Sequence, residues 1–258
     1  MTSQTVYIIV RGQGESGRIP VKRLLQTDLE RIGQGFYVAN GSKTESLHTL
    51  LPADSVFLFK RTRNLIKPLI NPSQDSYLLG SLVIIAYKRI PKDPKVRKRL
   101  QRLLFKAPCF RLRKGTYAFI QLKPSVYRRF RNIVSPSKFV NEIRKQGGEV
   151  TVVSRVALEN KRLSMKLLQE FKSLILGRID LISEKSKSMM GQLRGGEYSE
   201  ENMKKELSSI RKKLILMKRL MHFVSRIMNM NLSKEYTKAL NSYMRCRQAF
   251  REMLVIPL

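Results

Sequence analysis

Tryptophan is absent from this chain of 258 residues, and cysteine and histidine occur twice each. Cys109 and Cys246 lie far apart without CxxC or Cys/His spacing, which supports neither a disulfide framework nor a zinc site. His48 and His222 have no nucleophile or carboxylate at an informative spacing, so both read as structural residues rather than catalytic bases. No run of roughly 18 apolar residues occurs, so no membrane span is expected. The amino terminus, MTSQTVYIIVRG, lacks the basic start and small-residue cleavage site of a signal peptide. A cytoplasmic protein with no metal and no cofactor is expected. Acid is the remaining scarcity: 19 Asp and Glu stand against 51 Lys and Arg, a formal net charge of +32.

Self-repulsion of that size destabilises a compact chain and calls for a polyanionic partner. The cations are spread along the whole sequence rather than confined to a tail, which makes nucleic acid the leading partner.

Val6–Val10 reads as a strand of β-branched and apolar residues, followed by Arg11-Gly12-Gln13-Gly14-Glu15-Ser16-Gly17 and a helix opening at Pro20 and running through Leu24, Leu25, Leu29 and Ile32. Formally this is GxGxxG between strand and helix, the pattern of a phosphate cradle. The next strand, Gly35–Asn40, ends without the acid that holds a ribose, and no Gly-Lys-Ser/Thr follows, so a plain turn is favoured. A further strand is expected over Ser55–Lys60. Residues 61–80, with Lys67-Pro68 and Asn71-Pro72-Ser73, read as a linker.

Residues 81–157 form the segment around which the chain is organised. Leu82–Ala86 is a short apolar run closed by Ile90-Pro91. Val96, Leu100, Leu103 and Leu104 recur at helical spacing, with Arg97, Lys98, Arg99 and Arg102 on the other face. Cys109–Leu112 and Thr116–Ile120, joined across Arg113-Lys114-Gly115, read as a hairpin or one bent strand pair. Ser135-Pro136 opens a helix through Phe139, Val140 and Ile143, Gly147-Gly148 closes it, and Glu149–Val156 alternates as a strand. The order strand, helix, two strands, helix, strand is the split βαβ or ferredoxin-like arrangement.

Tyr87, Ile90-Pro91, Arg99-Leu100-Leu103, the run Leu112–Phe119, Glu142-Ile143 and Gly147-Gly148-Glu149 resemble the amino-terminal domain of chromate-resistance regulators. More distantly the segment is similar to the ferredoxin-like fold of the small CRISPR adaptation endonucleases and of the carboxy-terminal domain of phenylacetate-operon repressors. The resemblance covers under a third of the chain and implies a DNA-linked role. One departure from the endonucleases matters: their first strand carries a metal-binding aspartate after the tyrosine, whereas Lys88-Arg89 follows Tyr87 here, which disfavours metal-dependent cleavage.

Residues 1–60 repeat the central segment in shortened form, Tyr7–Val10 matching Val83–Ala86 and Gly35-Phe36-Tyr37-Val38 matching Gly115-Thr116-Tyr117-Ala118. A degenerate tandem pair is therefore expected, its half-sheets pairing within one chain. From 158 to 258 the pattern is helical. An apolar stripe from Leu163 to Ile182 stops at Gly191 and Gly195-Gly196, and Ser199 caps a heptad of Met203, Leu207, Ile210, Leu214, Met217, Met221, Val224 and Met228. Ser233 caps a third helix. Two long helices across a glycine-rich turn imply an antiparallel helical hairpin, with the methionines as core.

The fold class expected is α+β: a ferredoxin-like module within a degenerate tandem pair, then an all-α hairpin region. Candidate phosphate-binding residues are Lys88, Arg89, Arg97, Lys98, Arg99, Arg102, Arg111, Arg113, Lys114, Arg128, Arg129 and Arg131, then Lys204, Arg211, Lys212, Lys218 and Arg219 on the heptad helix, where no acid falls between Leu207 and Arg226. Tyr127 and Phe130 interleave with the basic group, as base-stacking platforms or as core. The expected function is non-enzymatic nucleic-acid binding, regulatory or architectural, with duplex DNA ahead of RNA. A homodimer through the sheets or the helical hairpin stays open. A divergent nuclease is the alternative, requiring Asp93, Glu142 and Glu149 to converge on metal. A basic subunit of a ribonucleoprotein or protein assembly is another.

Overall fold

The computed structural model describes residues 5–10, 29–33, 35–40, 56–68, 78–89, 93–130, 132–196 and 199–255. Among these are eight strands, β1 (Thr5–Val10), β2 (Glu30–Gly33), β3 (Phe36–Asn40), β4 (Val56–Arg61), β5 (Leu82–Lys88), β6 (Cys109–Arg113), β7 (Thr116–Ile120) and β8 (Glu149–Leu158). Six helices accompany them: α1 (Pro94–Phe105), α2 (Pro124–Arg129), α3 (Pro136–Lys145), α4 (Lys161–Arg194), α5 (Glu200–Met228) and α6 (Ser233–Val255). The chain divides into two compact units, Met1–Leu168 and Gln169–Leu258.

The first unit is built on one mixed α/β framework in which all eight strands share a sheet, ordered β2-β3-β1-β4-β8-β5-β7-β6 with every neighbouring pair antiparallel. Counted outward from the β4–β8 seam, both halves place their strands in the order fourth, first, third, second. The seam is short. Phe59, Lys60 and Arg61 face Leu158, Ala157 and Val156, while the amino-terminal part of β8 pairs with β5 from Glu149 to Val153. Lys60 also ion-pairs with Glu159, and the Thr62 amide donates to the Arg155 carbonyl at 2.7 Å. β8 therefore runs two residues past the expected end at Val156, because its last turns serve a second neighbour.

The hairpins β2–β3 and β6–β7 share one construction. Arg31 faces Tyr37 and Arg111 faces Tyr117; a register shift follows in each, between Arg31 and Gly33 and between Arg111 and Arg113. Gly35 and Gly115 then turn the chain at φ 59° and 77°, a left-handed conformation that glycine adopts without the Cβ penalty.

Both faces of the sheet are apolar. On one, Val6, Ile8, Leu29, Tyr37, Ala39, Val56 and Leu58 form a cluster in the first half. In the second half, Val83, Ile85, Phe119 and Val134 pack with Val96 and Leu100 of α1 and Phe139, Val140 and Ile143 of α3. Residues of opposite parity, including Phe57, Phe59, Leu82 and Ile84, are buried as well. This explains why β4 and β5 read as continuous apolar runs instead of alternating ones. Asp93 caps α1, its Oδ1 accepting from the Lys95 amide at 2.7 Å, and Ser135 caps α3 through the Lys138 amide at 3.3 Å; proline occupies the first turn of each.

In the second unit, the α5 heptad residues Met203, Leu207, Ile210, Leu214, Met217, Met221 and Val224 are buried, with Leu220 and Phe223 widening the stripe. Of the heptad methionines, Met203, Met217 and Met221 are core, while Met228 is half-buried. α5 ends at Asn229, which takes a left-handed φ of 50°.

Four local expectations need correction. The helix expected to reach Ile32 does not: Glu30–Gly33 is a strand paired with β3, since cross-strand pairing overrides the helical spacing of Leu29 and Ile32. The rest of that segment, with Gly12–Gly17, lies outside the described residues, as does His48. α2 was not anticipated; Pro124 in its first turn starts it. Gly191 does not stop α4, which continues to Arg194. At α6 it is Asn231 rather than Ser233 that caps, its Oδ1 accepting from the Ser233 amide at 3.0 Å and hydroxyl at 2.7 Å.

Candidate functional site

The basic residues of the first unit sort by the elements that carry them. Strand β5 delivers Lys88 and Arg89 to one end of the sheet, beside the β6–β7 turn, because the Tyr87 amide donates to the Gly115 carbonyl at 2.9 Å. Lys114 stands exposed in that turn. Glu149, opening β8, pairs with both Lys88 (3.2 Å) and Arg89. Hydrogen bonding from Lys88, with Arg89 adding to it, holds the Glu149 carboxyl below the usual glutamate range. These two cations are thus partly neutralised locally.

On α1 the apolar side packs into the core, and Arg97, Lys98, Arg99 and Arg102 all project into solvent. Among the described residues Arg99 alone of the four pairs with an acid, Glu142 of α3 at 2.6 Å. Arg111 is exposed on the edge strand β6 and lies beside Tyr87 and Tyr117, whose rings stack at 6.1 Å. Burial pushes both tyrosine hydroxyls up, and the hydrogen bond between them raises Tyr117 further. Arg113 points elsewhere: it is half-buried near Tyr37 and Arg31, and burial lowers its pKa. Arg113 is therefore a packing residue more than a surface cation.

Arg128 and Arg129 are exposed at the opposite end of the sheet on α2, and Arg131 lies outside the described residues. Between them, Tyr127 and Phe130 are buried, and the Tyr127 hydroxyl donates to the Ile120 carbonyl at 2.7 Å. Of the two readings of these aromatics, packing is the one that holds. In the second unit, Lys204, Arg211, Lys212 and Lys218 are exposed along α5 and Arg219 is half-buried. Lys204 pairs with Glu200 one turn earlier. His222 is exposed on the same helix.

After these pairings, Arg97, Lys98, Arg102, Arg111, Lys114, Arg128 and Arg129 in the first unit, and Arg211, Lys212 and Lys218 in the second, have no carboxylate partner among the described residues. The acids of a metal-dependent alternative do not converge. Asp93 caps α1, Glu142 pairs with Arg99 and Gln146, and Glu149 is held by Lys88 and Arg89. Among the described residues no three His, Cys, Asp or Glu gather as metal ligands, and no helix is long and apolar enough to cross a membrane. Among the described residues neither Cys109 nor Cys246 forms a disulfide, and burial raises the Cys246 thiol.

Sequence reasoning missed the Tyr87–Tyr117 pair, although tyrosines at matching places in two adjacent strands were the signal. It also missed Arg144, which with Ser137 and Asn141 follows the 4,3 spacing of one helix face. A comparison with known proteins finds no match among family models, curated proteins or solved structures.

Proposed function

We propose that this protein binds nucleic acid without cleaving it, as a regulatory or architectural factor that contacts phosphates rather than base edges. The observation that carries the reading is the set of exposed cations without carboxylate partners on α1, α2, β6 and α5. Isolated guanidinium and ammonium groups repel one another unless an external anion approaches, and each phosphate contact releases counterions from a polyanion.

The strand order supports a finer architectural reading. Each half of the sheet has the fourth-first-third-second order of a split βαβ unit, and the matching bulged hairpins add a second likeness, so the first unit reads as two ferredoxin-like modules joined through their fourth strands. In the second unit, the Lys185–Glu206 ion pair at 2.8 Å and the Ser183–Ser242 contact at 3.3 Å tie α4 to α5 and to α6, which favours an antiparallel helical hairpin with a third helix against it.

Duplex DNA is the preferred ligand on this reading. The test is titration of protein freed of co-purifying nucleic acid into labelled duplex DNA, single-stranded DNA and RNA across a salt series, with and without magnesium. Steep loss of affinity with salt and intact substrate on a denaturing gel is the expected result; on duplex the log–log slope is about −0.9 per phosphate contacted. Magnesium-dependent cleavage moves the assignment to a nuclease, and absence of binding to all three moves it to a protein-assembly role.

A further inference from the structure

A cavity of about 860 Å³ opens on the helix-bearing face of the second half-sheet, between α2, the amino-terminal turn of α3 and strand β8. Its size falls within that of small-molecule pockets. The floor is aliphatic: Val83 of β5, Val140 of α3 and Val152 of β8. Val152 is 41% exposed, and Ser154, two residues further along β8, is exposed beside it. Arg128 and Arg144 stand at the wall, both exposed and neither paired with a carboxylate among the described residues. Among the described residues no acid lines the cavity, while amides and hydroxyls such as Asn132, Asn141 and Ser154 do. The lining therefore offers an apolar surface, hydrogen-bonding groups around it and two cations, Arg128 from α2 and Arg144 from the last turn of α3.

We infer that this cavity holds a single nucleotide, its base against Val83, Val140 and Val152 and its phosphate toward Arg128 and Arg144. The floor gives the base an apolar face to lie on, the amides can meet its polar edge, and the guanidinium groups suit phosphate oxygens. This deepens the phosphate-binding reading above and rests on it. The nucleotide is either free or an unpaired residue of a bound strand, since both present the same chemistry.

The test uses the full chain and two probes: 2-aminopurine nucleoside 5′-monophosphate, and a single-stranded oligonucleotide with one internal 2-aminopurine and a dye at its end. Saturable change of 2-aminopurine emission with the monophosphate identifies a free-nucleotide site; change with the oligonucleotide alone identifies an unpaired residue of a strand. In either case Arg144→Glu weakens the response about tenfold or more. Val152→Phe fills the floor and abolishes it. Lys138→Glu, the same charge change on exposed α3 surface outside the cavity, leaves it within about twofold. Dye anisotropy reports backbone binding separately. Anisotropy change without an emission response, or a response unaltered by Arg144→Glu and Val152→Phe, overturns the cavity assignment and leaves the phosphate-binding reading standing. An emission response with the monophosphate but no anisotropy change does the reverse, and silence in both signals overturns both.

Discussion

Gly80 sits at φ +65°, and a Cβ placed there would lie 2.6 Å from the Pro68 nitrogen and 2.7 Å from the Ile66 carbonyl oxygen. Those backbone atoms cannot retreat, because the Ser81 amide donates to the same Ile66 carbonyl at 2.8 Å and the Ser81 hydroxyl accepts from the Ile66 amide. Gly80→Ala is thus expected to destabilise the first unit by about 2 kcal/mol or more, read as a lower denaturation midpoint with unchanged slope. At Glu149 the effect is one of pH. Because its folded pKa is depressed, the stability it contributes is complete above the ordinary glutamate value of about 4.3 and is lost as pH falls through the lowered folded value. Glu149→Gln should therefore melt slightly below wild type at neutral pH, and the two melting curves should converge in acid; a difference that persists in acid would assign the loss to packing instead.

Among the elements, α5 carries the clearest surface prediction. Replacing Arg211, Lys212 and Lys218 together with glutamine removes three exposed cations and no core contact. Affinity for duplex DNA should fall, and the salt slope should flatten by about 0.9 for each lost phosphate contact, with thermal stability nearly unchanged. An unaltered slope would locate nucleic-acid binding elsewhere. The boundaries of α1, α3 and β5 through β7 were legible in sequence because each has punctuation of its own: Asp93-Pro94, Ser135-Pro136, Gly115 and Gly147-Gly148. β2 was illegible because Leu29 and Ile32 fit helical spacing equally well, and only the partner strand decides. Of the candidate cations, sequence recovered exposure for all four on α1 and for Lys204, Arg211, Lys212 and Lys218 on α5, where one helix face settles it, but not for Arg219, which is half-buried. It did not anticipate that Arg113 is half-buried, a position that depends on Arg31 and Tyr37, some eighty residues earlier. The β4–β8 seam left no local trace, since nothing within Val56–Arg61 specifies a partner in Val156–Leu158.

For the whole first unit, that seam decides whether the halves unfold together. Phe59 is fully buried and pairs with Leu158 across it. Phe59→Ala should cost about 3–5 kcal/mol. If the sheet is one cooperative body, hydrogen exchange will accelerate by similar factors in β1 and β5; acceleration confined to β1, β3 and β4 would make the halves separate folding units.

Among the described residues β2 and β6 are the outermost strands of the sheet, and such rims invite a second molecule to add its own strand. In this chain both rims are short, each is broken by a register shift at the same place, and each presents an exposed arginine, Arg31 and Arg111, immediately before the break. The repeated arginine and bulge therefore guard the molecule against edge-to-edge aggregation. On the proposed nucleic-acid-binding reading, that protection matters most once a polyanion neutralises the chain and charge repulsion between copies no longer keeps them apart.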